Sequence, residues 1–108
     1  MARARAAQAE VRAMTFRATL AAQVSGLRTT VLERRAAADR YRAAATDNTE
    51  RLERIAQVSY DAGERGILEL LDAYRTGASA RLRQAALDGA VRQVEIELEF
   101  ISGWEIRQ

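Results

Sequence analysis

Residues 59–75 read SYDAGERGILELLDAYR, and this stretch decides how the chain folds. It holds two glycines, Gly63 and Gly66, between two segments with helical character. Gly63 suits the position just past a helix end, where the backbone turns left-handed. Gly66 suits the cap of the next helix, with Glu69 at the third helical position beside free amides. A turn this short sends the second helix back antiparallel to the first.

Outward from the turn, the chain of 108 residues has no proline to interrupt a helix. Alanine, arginine, glutamate, leucine and glutamine, all good helix formers, dominate it. The apolar/polar alternation of a strand is absent. The expected fold is all-α: one long antiparallel helical hairpin, coiled-coil-like. The expected bounds are a helix over about 4–60, a tip turn over 61–66, a helix over about 67–102 and a short tail at 103–108. Gly103 is read as the stop of the second helix, with Trp104 and Ile106 beyond it.

The first helix carries a seven-residue rhythm. One column is Val24, Val31, Ala38, Ala45, Leu52 and Ser59; the other is Leu20, Leu27, Arg34, Tyr41, Asn48 and Ile55. Together they form a coiled-coil seam with polar exceptions at Arg34 and Asn48. Before Leu20 the rhythm weakens, since Val11, Met14 and Phe16 do not share one register. The segment Thr46-Asp47-Asn48-Thr49 is the weakest point, because Asp47 and Glu50 resemble a capping box. The seam passes through it without a slip, so one continuous helix is favoured, with a local distortion near Asp47 left open. A helix of that length would run about 85 Å, far beyond ordinary globular helices.

The second helix shows two apolar stripes. One is Leu68, Leu71, Ala78, Leu82, Ala85, Gly89 and Ile96; the other is Leu87, Val91, Val94, Leu98 and Ile101. A two-stranded coiled coil needs one seam. Two stripes imply neighbours on two sides, so hairpins are expected to pair into a bundle, with the Leu87–Ile101 stripe as the exposed one.

Charge and composition exclude much. The basic residues number 17, all arginine, against 15 acids, giving a net charge of +2. The arginines are spread along the chain among acids, so no nucleic-acid partner is expected. With no cysteine and no histidine, thiolate catalysis, disulfides and the usual zinc sites are excluded. No apolar run is long enough for a membrane helix. The start, MARARAAQAEVRAM, lacks the apolar core of a signal peptide and reads as helix. Glu69 and Asp72 share a helix face, but general acid–base work needs a pocket and a positioned substrate. Their plain role is to complement the helix dipole. No catalytic residue, cofactor or metal ligand is assigned, and the chain is not read as an enzyme.

Tyr60-Asp61-Ala62-Gly63 followed by Leu68-Glu69-Leu70-Leu71-Asp72-Ala73-Tyr74-Arg75 resembles the Y-x-x-G…LELLDA-x-R motif of TolC-type outer-membrane efflux proteins. The continuation Ala80-Arg81-Leu82 and the later Glu97-Leu98-Glu99 before Gly103 fit the same pattern. The leucine-rich form looks most like the CzcC-like heavy-metal branch. In that family two helical hairpins per protomer, repeated in a trimer, build a periplasmic α-helical tunnel below an outer-membrane β-barrel. The chain resembles the second hairpin only, a fragment of that tunnel.

The resemblance implies a non-enzymatic segment of a tripartite, RND-type export system, located in the periplasmic portion of an outer-membrane channel. It implies a tip of Tyr60, Gly63, Arg65 and Gly66 that contacts a periplasmic adaptor protein joined to an inner-membrane pump. It implies that Glu69 and Asp72 are tunnel-entrance acids. Gly66 departs from the serine or threonine usual at that cap. The alternative is a free-standing coiled-coil module for oligomerisation, or an adaptor-type hairpin.

Overall fold

The computed structural model describes residues 2–107, with side chains described as far as Gly103. The order is α1 (Ala2–Tyr41), a π-helix (Arg42–Thr46), α2 (Asp47–Asp61) and, after the turn, α3 (Ile67–Arg107). There is no strand among the described residues. The fold is all-α, a helical hairpin turning at residues 62–66, as the two glycines imply. No helix among the described residues is long and apolar enough to cross a membrane.

The chain divides into two compact units. The first comprises Met1–Leu32 and Arg92–Gln108, the second Glu33–Val91. In the first unit, Leu20, Val24, Val31 and Val94 are buried. Leu27, Leu98 and Ile101 are half-buried. Residues 2–19 are exposed throughout, including Val11, Met14 and Phe16, where the seven-residue rhythm is lost.

Gly103 does not end α3. The helix continues to Arg107, so the expected tail is helical; the side chains of Trp104 and Ile106 lie outside the described set. A helix-ending glycine works through positive φ, and among the described residues only Gly63 has it. Elsewhere glycine only weakens a helix, by about 1 kcal/mol against alanine.

The second unit carries the turn and two departures from the expected packing. The first is the π-helix. The Asp47 N–H donates to the Arg42 carbonyl five residues back, so the helix holds one extra residue there. The distortion near Asp47 therefore exists, and it resets the seam. Ala38 is buried as expected, but past the π-helix the buried residues are Thr49, Glu53 and Ala56, each one position beyond Asn48, Leu52 and Ile55. Leu52 and Ile55 are turned out, each 47% exposed.

The second departure is on α3. Its seam within this unit is Leu70, Ala73, Gly77, Ala80, Gln84, Leu87 and Val91, all buried or half-buried at alternating steps of three and four. The same steps continue in the first unit through Val94, Leu98 and Ile101. The Leu87–Ile101 stripe is thus half of the seam rather than the exposed face. The row left outside is Leu68, Leu71, Ala78, Leu82, Ala85, Gly89 and Ile96.

Candidate functional site: the hairpin tip and the polar seam behind it

The turn is a Schellman cap. Gly63 has φ of 76°. Its N–H donates to the Tyr60 carbonyl at 3.0 Å, and the Glu64 N–H donates to the Ser59 carbonyl at 2.9 Å. These two bonds satisfy carbonyls that the end of α2 would otherwise leave open. The Arg65 N–H also donates to Ser59, at 3.3 Å. Gly66 acts differently. Its carbonyl accepts the first bond of α3 from the Leu70 N–H at 3.4 Å, and its φ is not positive. A Cβ at Gly66 would meet nothing within 4 Å.

The expected tip residues fall into two groups. Tyr60 and Gly63 build the cap. Arg65, Glu69 and Asp72 instead line a groove on the outer side of the hairpin, together with Leu52, Ile55 and Leu68. Glu69 does not stand alone: its Oε2 lies 3.7 Å from Arg65 Nε. Both side chains are more than half exposed, so the pair contributes little to stability. Tyr74 clasps the turn from α3. Its hydroxyl donates to Gln57 Oε1 at 3.0 Å, and Gln57 Nε2 donates to Asp61 Oδ1 at 3.0 Å.

Behind the tip lies a row of polar residues inside the seam, which the apolar columns did not reveal. Glu53 is buried, and its Oε2 accepts from Arg81 Nη2 at 2.7 Å. That hydrogen bond, and then the charge of Glu53, raises the Arg81 pKa above its usual value. Glu53 Oε1 has no hydrogen-bond partner. Two seam steps past Gly77, Gln84 is buried and engaged at both its nitrogen and its oxygen. Its Nε2 donates to the Ala38 carbonyl at 3.2 Å and to Asp88 Oδ1 at 3.0 Å, and its Oε1 accepts from the Thr46 hydroxyl at 2.9 Å.

Arg42, at the start of the π-helix, donates to both oxygens of Asp88 at 2.9 and 3.1 Å and to Asp39 at 3.1 Å. One guanidinium nitrogen, Nη2, thus serves both oxygens of Asp88, while Nη1 serves Asp39. Arg34 donates to the Ala90 carbonyl at 3.0 Å. The π-helix is therefore held in place by α3 through Thr46 and Arg42. The signal that sequence reading could have used is Gly77. It sits inside a helix, at a seam step, with no turn to make, and such a glycine marks close approach of another element.

The tip and the groove beside it present an open surface of mixed apolar and charged side chains. Among the described residues there is no group of three or more metal-ligating side chains. The acids of the groove lie on an open helix face beside an arginine, with no enclosed space for a substrate. The class defined by fold and tip is a capped, antiparallel helical hairpin with polar residues locking its seam. No family model, curated protein or solved structure matches the chain.

Proposed function

We propose that the chain is the second periplasmic hairpin of a TolC-type outer-membrane efflux channel of the CzcC-like branch, in an RND-type tripartite export system. The observation that carries this reading is where the motif falls. Tyr60 and Gly63 form the cap at the hairpin end, and LELLDA opens the returning helix directly after it. A family-like motif that falls on a capped hairpin end fits a docking end rather than an active site. The outer row of α3 from Leu68 to Ile96 gives further support, since a helix in a closed ring needs apolar surface toward a second neighbour.

In this reading Tyr60, Gly63, Arg65 and Gly66 meet the periplasmic adaptor, which links the channel to an inner-membrane pump. Glu69 and Asp72 recur around the threefold axis of a trimer and line the tunnel entrance. Like charges gathered there attract cations. Arg65, paired with Glu69, moderates that field and ties the acids to the tip.

The test is a chimeric channel in which residues 1–108 replace the second hairpin of a TolC-type protein, with a photo-crosslinking residue at Arg65 or at Leu82. The Arg65 position is expected to capture the adaptor and the Leu82 position to capture only channel helices. A chimera that trimerises but crosslinks to no adaptor from Arg65 overturns the reading in favour of a free-standing coiled-coil module.

A further inference from the structure

We infer that α2 has two registers: the extra residue held in the π-helix can pass along it to the tip turn, rotating α2 so that Leu52 and Ile55 take the places of Glu53 and Ala56 against α3. Every element involved lies within the second unit. A π-helix holds one residue more than the α-helix it interrupts. Drawing that residue out turns α2 by about 100° and carries it about 1.5 Å toward the tip. Asn48, Leu52 and Ile55 then occupy the buried places of Thr49, Glu53 and Ala56. Thr49 and Glu53 move to the exposed places of Glu50 and Arg54.

The helix α2 carries both seams. Asn48, Leu52 and Ile55 have the same spacing as Thr49, Glu53 and Ala56, one residue earlier. The register in the structure buries a carboxylate with one unpartnered oxygen and turns a leucine and an isoleucine outward. Both features cost free energy, and the other register removes both. Gly77 has no Cβ, so the place that Glu53 leaves can receive Leu52. Against the second register stand the bonds of Arg81 to Glu53 and of Tyr74 to Gln57, and the bulk of Ile55 where Ala56 now sits. Each register thus satisfies what the other leaves unmet, the condition for an element with two discrete arrangements. Only residues 62–66 separate α2 from α3, so a residue delivered there must remake the cap at Gly63. The shift therefore couples the seam to the tip. It also takes Leu52 and Ile55 out of the groove that they line in the structure. The two registers belong to the chain itself and do not depend on the channel reading, which is tested on a chimera.

The experiment is thiol labelling of single-cysteine variants of the full chain under native conditions. Thr49→Cys reports the shift, because position 49 is buried in one register and exposed in the other. Ala38→Cys, buried ahead of the π-helix, reports global unfolding alone and is measured in every background. In the parent, Thr49→Cys is expected to label about tenfold or more faster than Ala38→Cys, through local opening. Deleting Ala44 leaves no residue to pass on, so it should bring Thr49→Cys down to the Ala38→Cys rate. L52S/I55S removes the apolar side chains that favour the second register without changing the chain length, and should do the same. Equal rates for Thr49→Cys and Ala38→Cys in the parent would overturn the proposal. Fast labelling of Thr49→Cys that survives either change would overturn it too, as fraying of α2 rather than a change of register.

Discussion

Glu53 of α2 fills the space that a side chain at Gly77 of α3 would need. A Cβ built at position 77 would run into Glu53 Oε1 and would come within 2.8 Å of Thr49 Cγ2. The side chains of Glu53 and Thr49 therefore occupy the space beside a backbone position that carries no Cβ. The seam holds a carboxylate where a coiled coil ordinarily holds leucine, and Arg81 reaches in to pair with it.

Gly77→Ala is expected to lower stability, although alanine is the better helix former. Overpacking a tight contact costs about 1–3 kcal/mol, while the gain in helix propensity is at most about 1 kcal/mol. In a Glu53→Ala background the loss should shrink, because only the Thr49 methyl then remains in the way. Thermal melts of the four chains form the cycle. An equal effect of Gly77→Ala in both backgrounds would show that Glu53 is not what glycine accommodates.

The pair itself is a weak source of stability. Burying a carboxylate is costly, and one of its oxygens is left without a partner. Glu53→Leu, similar in size and free of charge, is expected to melt at or above the parent temperature. Arg81→Ala is expected to melt lower, because it takes the hydrogen-bond partner from a largely buried carboxylate. Arg81→Ala in the Glu53→Leu chain should then do little. A Glu53→Leu chain that melts well below Arg81→Ala would make the ion pair a true stabiliser of the hairpin.

Residues 59–75 made the hairpin legible because a glycine at positive φ and an uninterrupted helical pattern on each side leave few alternatives. The register past residue 46 was not legible. Leu52 and Ile55 are larger and more apolar than Thr49, Glu53 and Ala56, so apolar counting assigns them to the seam. Packing prefers the smaller set because Gly77 leaves Glu53 and Thr49 their space, and because Gln84, Asp88, Thr46 and Arg42 hold the extra residue of the π-helix. Hydrogen bonds of that kind leave no periodic trace in a sequence. On α3 both stripes were visible, but their roles could not be assigned without knowing which steps run through Gly77 and Gln84. The groove acids Glu69 and Asp72 were legible as neighbours on one face, while their setting beside Leu52 and Ile55 depended on the hidden register.

The two tip glycines are expected to respond differently to one added methyl group. Gly63→Ala forces an L-residue into the left-handed region and should cost about 1–2 kcal/mol. Gly63→Asn should cost less, because asparagine tolerates that conformation. Gly66→Ala should change stability by no more than about 0.5 kcal/mol, since its φ is not positive and the added Cβ meets nothing. Chemical denaturation of the three variants checks the order. Equal losses at both glycines would mean that Gly66 is also conformationally strained.

The π-helix makes a prediction that separates the two seams. Removing one residue there, Ala44, should convert the five-residue step into an ordinary helical step and leave everything downstream where it is. Ala44 is exposed, and neither Thr46 nor Arg42 is lost. The shortened chain is expected to fold with a melting temperature equal to or above the parent's. Removing Arg54 instead, an exposed residue within α2, turns the rest of that helix by about 100° and takes Ala56 out of the seam. That chain is expected to lose its cooperative melt or the tip. Because the chain has no cysteine, single-cysteine variants report the register directly. Leu52→Cys should react with a thiol reagent at a surface rate, and Ala56→Cys should be protected, in both the parent and the Ala44-deleted chain. Protection of Leu52→Cys with fast labelling of Ala56→Cys would restore the uninterrupted seven-residue seam and remove the π-helix from the account.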